Sequence, residues 1–377
     1  MIDATRRWSF DWLLAVLTLL LLGLGLVMIR SATSSIGSSG LPLHEWPVVR
    51  QSAFAVIGLA ALVAASLVNY RVWGALRWVL YVAMLAGLVA VLLVGRVFFG
   101  AQSWFDLQGF ILQPSELCKI VLIIVLARYF AGHEAHLRQG LGVLVSLLLT
   151  LPLVALVYIQ PDMGTAVVLV SIWLGMLFVA GIRLRHLLLL GFAALLLAPV
   201  LWAIMQPHMR ERVLMFLNPH TDPLKKDYNV IQALISVGSG GLWGKGLGQG
   251  TQNQLFFLRV RHTDFIFAVL AEELGFVGAM LLLTLFAGLL MRILRTANQA
   301  GDAFGRLLAS GVATMIFVHA AINIGFHVGL LPVTGLPLPL ISYGGSSLIT
   351  TLIGLGLVES VARYHDSSEA TNAQVIA

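Results

Sequence analysis

Charge is scarce in this chain of 377 residues: 23 Lys and Arg and 17 Asp and Glu, 11% in all, against 59% hydrophobic residues. A soluble domain carries about a quarter charged residues, so that class is excluded. Cysteine is nearly absent. The single Cys118 rules out an intramolecular disulfide, and no CxxC or Cys/His spacing offers a structural zinc site. There is no GxxxxGK[ST], since Lys245 is followed by Gly246, and this excludes a P-loop motor. The ten histidines show no HExxH spacing, and no repeat of 20 to 50 residues or pair of matching broken helices is visible. The net charge of +6 could point to nucleic acid, but the cations lie between apolar runs and form no basic face, so no nucleic-acid partner is expected.

Long apolar runs are abundant. They predict an all-α polytopic membrane protein with spans at roughly 12–30, 50–69, 76–95, 114–131, 140–159, 163–182, 186–205, 265–291, 307–330 and 338–361, each near the ~20 residues a helix needs to cross hydrocarbon. The first run follows Arg6 and Arg7 but exceeds the apolar core of a signal peptide, about 7 to 15 residues, and reads as an uncleaved helix. Placing the N-terminus inside puts Arg71, Arg77, Arg128, Arg138, Arg183, Arg185, Arg292, Arg295, Arg306 and Arg363 on one side, as the positive-inside rule requires. Both termini are then expected in the cytoplasm, and the whole chain is one transmembrane domain.

The stretch 206–263 is the one long polar connection, and it falls outside. It holds Arg210, Arg212, Lys225, Lys226, Lys245, Arg259 and Arg261. Such a loop reads either as a solvated, headgroup-touching segment or as a site for phosphate or pyrophosphate. It also holds GSGGLWGKGLGQG, Gly238 to Gly250, with seven glycines in thirteen residues, an irregular backbone able to approach a ligand closely. Asp264 ends the loop and starts the apolar run FIFAVLAEELG. One reading makes it the helix N-cap, with Thr263 in competition; the other makes it an ionised carboxylate at the membrane lip that accepts a proton. Glu272 and Glu273, in or near hydrocarbon, must face protein or a wet cavity and have partners. Glu116 and Lys119, three apart on one helical face, can pair, and Asp162 reads as a turn or cap residue. From Asn323 to Ser347, prolines 332, 337 and 339 interrupt the helix, which is tolerated at membrane depth only beneath protein or around a cavity.

These segments resemble a known family. Gln113-Pro114-Ser115-Glu116 with Lys119, Gln160 to Thr165, the glycine cluster, His262-Thr263-Asp264-Phe265 with Ala271-Glu272-Glu273-Leu274-Gly275, and Pro332 to Gly335 through Ser342-Tyr343-Gly344-Gly345 occur in the order of the SEDS proteins, the RodA, FtsW and SpoVE family of bacterial shape, division and sporulation. The resemblance implies a glycosyltransferase of about ten spans that polymerises lipid II into β-1,4 glycan strands on the outer face of the cytoplasmic membrane. It implies that Asp264 is the essential carboxylate. An α-linked donor yielding a β link requires inversion, and a pyrophosphate leaving group can be stabilised by cations alone, so one base is sufficient.

On that resemblance Arg210, Arg212 and Lys245 are candidates to hold pyrophosphate, Arg212 foremost. Glu116 and Lys119 would line a cavity below; Gln232 is a polar contact, Trp104 an outer-loop anchor and Ser342 part of the cavity rim. A divalent cation, Mg or Mn, is expected with no readable ligand set. One departure is Leu258 followed by Arg259, Val260 and Arg261 in place of the family's Leu-Pro-Glu pattern, which adds positive charge expected to lower the pKa of Asp264. Short ends and GKGLGQGTQNQLFFL look more like RodA than FtsW. The implied partners are lipid II, membrane lipid, a class B penicillin-binding protein and other elongation-complex proteins. The chain has no SxxK, SxN and KTG set, so crosslinking belongs to the partner. The rival reading is a lipid II flippase using Glu116, Lys119, Glu272 and Glu273 as a proton path; a non-catalytic scaffold is a third.

Overall fold

The computed structural model describes residues 10–33, 42–98, 101–107, 110–133, 140–217, 228–254 and 262–364. Arg6, Arg7, Arg138, Lys225, Lys226 and the Leu258-to-Arg261 departure lie outside the described residues. The crossing helices are α1 (Trp12–Ala32), α2 (Pro47–Leu67), α4 (Arg77–Val94), α5 (Pro114–Gly132), α6 (Leu141–Ile159), α7 (Met163–Val179), α8 (Leu184–Ile204), α12 (Ile266–Gln299), α13 (Ala303–His327) and α14 (Gly345–Tyr364). Between them lie the short α3 (Tyr70–Ala75), α9 (Pro207–Leu217), α10 (Tyr228–Ser239) and α11 (Thr251–Gln254). Eight of the ten are long and apolar enough to cross a membrane. The other two are α7, which is shorter, and α5, which carries Glu116, Lys119 and Arg128.

All ten expected spans are present, with two displaced boundaries: α12 runs on to Gln299 instead of ending near 291, and the last helix starts late. The last helix begins at Gly345 instead of near 338, because Pro337 and Pro339 remove backbone donors and Leu340 takes φ +64°. Protein covers this broken stretch: Leu338, Leu340 and Ile341 are buried. A second departure is a three-stranded antiparallel meander, β1 (Arg96–Phe98), β2 (Ala101–Leu107) and β3 (Phe110–Leu112), pairing Val97 with Gln102 and Asp106 with Ile111.

Close helix packing uses small residues, since apolar side chains gain little from leaving lipid. A Cβ on Gly356 would stand 2.5 Å from the carbonyl of Leu62, and one on Gly25 2.6 Å from that of Leu340. An even number of crossings brings the start of α1 and the end of α14 to one side. There the Asp11 N–H donates to Glu359 at 2.6 Å, and Arg292 pairs with Asp11. α8 differs from the other crossing helices, with no buried side chain among its described residues.

α12 is broken. Gly275 takes φ +67°, ψ −163°, which frees two carbonyls before it and two N–H groups after it. The glycine cluster fills the gap: Lys245 and Gly246 N–H donate to the carbonyls of Glu272 and Glu273 at 3.0 Å each, while Phe276 and Val277 N–H donate to Gly241 and Leu242 at 2.9 and 3.1 Å. A Cβ at Gly240 would lie 2.0 Å from the Ala271 carbonyl, and one at Gly244 2.2 Å from that of Glu273. The glycines therefore do permit a close approach, but to the protein's own helix and not to a ligand.

Candidate active site

Asp264 sits in the turn His262–Phe265 ahead of α12, part-buried. The capping expectation is not met: the N-cap is Phe265, and no side chain makes a capping bond. The carboxylate is thus left available. The backbone of the turn is pinned at three successive carbonyls. His262 accepts from Tyr343 N–H (2.9 Å), Thr263 from Ser342 Oγ (2.8 Å) and Asp264 from Asn323 Nδ2 (3.1 Å). Phe265 packs edge-on against Phe326 and His327, centroids 5.6 Å away in both cases. The backbone that carries Asp264 is therefore set by folding, before any substrate arrives.

Gly335, at φ +74°, faces this carboxylate. A Cβ there would lie 3.7 Å from Asp264 Oδ2 and 3.6 Å from Arg212 Nη1, so the two charged groups stand beside the same bare backbone, within about 7 Å of each other. No direct ion pair joins them among the described residues. Burial pushes the Asp264 carboxyl up from 3.8 to about 6, while the Arg212 guanidinium pulls it down. Desolvation wins over the nearby cation, so the net shift is upward. At neutral pH the group is ionised yet more basic than a surface aspartate.

Ser342 lies inside the scaffold of the site, not on an open rim. Its hydroxyl donates to Thr263 and accepts from Leu338 N–H at 2.8 Å. Gln51 of α2 clamps the same segment, donating to the Ser342 carbonyl and accepting from Gly344 N–H, both at 3.1 Å. Beneath it, Glu116 and Lys119 pair at 2.7 Å, as the three-residue spacing predicts. They line a crevice with Met315, His319, Thr350 and Thr351 that has no room for a water molecule. Asp162 caps α7 through Thr165 N–H at 3.0 Å, also as expected.

Lys245 is not delivered to Asp264. Its ammonium donates to Ser239 (2.9 Å), Thr251 (2.9 Å) and the buried Glu272 (2.8 Å), which uses all three protons. Glu273, also fully buried, accepts from Ser31 at 2.5 Å, so both acids have the interior partners their position demanded. Arg210 donates to the Ala203 carbonyl at 2.5 Å and ties α9 back to α8. Gln232 is half-buried on α10, and Trp104 lies in β2 beside Ser103, whose hydroxyl holds the Gln160 carbonyl at 3.0 Å. Sequence reasoning singled out neither Gln51 nor the roles of Asn323 and His319. The available signal was an uncharged polar side chain inside an apolar span, which must find a partner. For a divalent cation, no group of three or more His, Cys, Asp or Glu stands together among the described residues, so a cage of protein ligands does not fit here.

The family model of the FtsW, RodA and SpoVE cell cycle proteins matches residues 11–367. The chain belongs to this family. It is 40% identical to stage V sporulation protein E of Bacillus subtilis over 96% of this chain and 99% of the relative. To peptidoglycan glycosyltransferase MrdB of Escherichia coli K12 it is 43% identical, over 81% and 82%. Similar solved structures include one of a peptidoglycan synthase complex that coordinates polymerization and crosslinking, with TM-score 0.82, 38% identity and coverage of 95% of this chain and 99% of that one. Another is the Thermus thermophilus rod shape determining protein RodA, with TM-score 0.69, 34% identity and coverage of 95% and 98%. This FtsW/RodA/SpoVE protein is a multi-pass membrane peptidoglycan glycosyltransferase, and the flippase reading is not favoured.

Proposed function

We propose that Asp264 is the general base of glycan polymerisation from lipid II, with Arg212 holding the pyrophosphate of the donor. The acceptor GlcNAc 4-hydroxyl gives its proton to the Asp264 carboxylate as its oxygen attacks the donor anomeric carbon from the face opposite the pyrophosphate. The new C–O bond forms as the bond to pyrophosphate breaks. The leaving group departs with the bonding electrons, configuration inverts from α to β, and the guanidinium balances the departing charge. Gly335 supports this reading most directly, because the base and the cation converge on it, Asp264 Oδ2 and Arg212 Nη1 standing 3.7 and 3.6 Å from the position a Cβ would take.

Lys245 then holds the loop in place and does not contact substrate. The expected Mg or Mn travels on the substrate's phosphates, which commonly complete such a coordination shell. The reaction belongs to the outer face of the bacterial cytoplasmic membrane, with both termini inside. A rod-elongation role fits the GKGLGQGTQNQLFFL segment, with a class B penicillin-binding protein as crosslinking partner and the other elongation-complex proteins around it. Glycan formation from purified lipid II, with and without that partner, tests the reading. Wild type is expected to polymerise while folded Asp264→Ala and Asp264→Asn give no strands; normal polymer from Asp264→Asn would remove the base assignment.

A further inference from the structure

We propose that His319 and Asn323 are positioning residues: they carry the geometry of the buried Glu116–Lys119 pair to the Gly335 backbone and so set the gap between Asp264 and Arg212. This rests on the reading of Asp264 as base. The two residues lie one turn apart on the same face of α13, at i and i+4. Each takes hold of one peptide of the segment after Gly335. Asn323 Nδ2 donates one hydrogen to the Leu336 carbonyl (2.8 Å) and the other to the Asp264 carbonyl (3.1 Å), so a single amide joins the base's own backbone to the strand facing it. His319 Nδ1 meets the Pro337 carbonyl at 3.4 Å, and its Nε2 meets Lys119 Nζ at 3.0 Å.

Chemistry fixes the state of that imidazole. A carbonyl can only accept and an ammonium can only donate, so Nδ1 carries the hydrogen and Nε2 the lone pair. One neutral tautomer satisfies both neighbours. Lys119 spends its remaining charge on Glu116 at 2.7 Å, and Glu116, Lys119 and His319 are all buried. An unbroken series of contacts therefore runs from α5 through α13 to the backbone beside Gly335. The tight crevice around the ion pair gives it a task other than contacting the sugar: keeping the facing strand in register. Displacements of about 1 Å at a reacting centre can cost on the order of a hundredfold in rate, so a distant pair can govern chemistry without touching substrate.

The test compares full-length wild type with His319→Gln, His319→Leu and Asp264→Asn in a lipid II polymerisation assay across pH. A glutamine amide offers an acceptor to Lys119 and a donor to Pro337 and should keep kcat within about twofold. Leucine offers neither. His319→Leu is expected to lose about tenfold or more in kcat with KM changed less than about twofold, and its acid limb should move to higher pH as Arg212 drifts from Asp264. Among the described residues, the titratable and charged groups around Asp264 are Arg212 on α9, His262 on its own turn, Tyr343 beside His262, and His327 behind Phe265. None of these is altered by the substitution, so a shifted limb reports geometry. If His319→Leu does not fold, His319→Asn, too short to reach both partners, replaces it with the same expectation. Wild-type kcat and acid limb in His319→Leu, or a His319→Gln protein as slow as the leucine variant, would overturn the proposal. Wild-type activity in Asp264→Asn would instead overturn the reading of the base, so the two failures are distinct.

Discussion

Gly244→Ala is the sharpest test of the break in α12. The residue has φ +78°, and an added Cβ would meet Glu273 O at 2.2 Å, Glu273 C at 2.5 Å and Gly275 N at 2.6 Å. All three are backbone atoms that cannot swing away. Relieving the overlap means lifting the glycine turn off the helix, which breaks the four reciprocal hydrogen bonds at the Gly275 gap. At a net ~1 kcal/mol each these amount to about 4 kcal/mol, more where a freed group stays buried. The left-handed conformation adds roughly 1 kcal/mol. Two neighbours separate these terms. Gly241 also has positive φ, +57°, but a Cβ there meets nothing within 4 Å, so Gly241→Ala should lose only the conformational term, about 1 kcal/mol. Gly238 lies in α10 with open space around it, and Gly238→Ala should be neutral or slightly stabilising. Thermal unfolding of the three variants in detergent gives the ranking, with Gly244→Ala far below the others and polymerisation lost along with it. Equal melting of Gly244→Ala and Gly241→Ala would show that the turn does not dock into the break.

Two further perturbations probe the charges. Polymerisation should fall on the acid side near pH 6, because Asp264, raised to about 6 by burial, must be ionised to take a proton. Arg212 favours the ionised form, so Arg212→Gln should move that limb to higher pH as well as lower kcat, and an unmoved limb in a pH–rate profile would uncouple the two groups. Lys245→Met strands the fully buried Glu272 carboxylate and should destabilise by about 3 to 5 kcal/mol. Lys245→Met with Glu272→Leu should recover much of that in thermal unfolding; no recovery would mean the ion pair is not what the loop depends on.

The spans were legible because a twenty-residue apolar run has one outcome in a bilayer, and Asp264 because acids are so few that each one stands out. The break at Gly275 was not legible. AEELGFVGAM continues a helical pattern through a glycine that a helix can tolerate, and the groups that fill the gap lie some thirty residues upstream. Lys245 was assigned to phosphate on the sign of its charge and its place in a cationic loop. What neutralises it, Glu272, becomes its neighbour only once the glycine turn docks. Asn323 opens the proline-interrupted segment and His319 lies in the apolar span before it, but spacing along one helix does not tell which carbonyls of a proline-rich stretch will lie opposite. The meander from Arg96 to Leu112 was missed because its outer strands are three residues each, too short for an alternating pattern to register.

The solitary α8 carries a mechanical consequence. Its 21 residues span about 31 Å, close to the ~30 Å of bilayer hydrocarbon, and with Leu190 its one side chain packed against the core among the described residues, lipid has the larger hold on its tilt. Arg210 fastens the next helix to its last turn, and Arg212 rides on that helix. A thinner membrane should tilt α8, and the tilt is expected to displace the guanidinium relative to a turn whose carbonyls three hydrogen bonds hold in place. Membrane thickness is therefore expected to bear on the separation of the two charges, through the cell's choice of acyl chains.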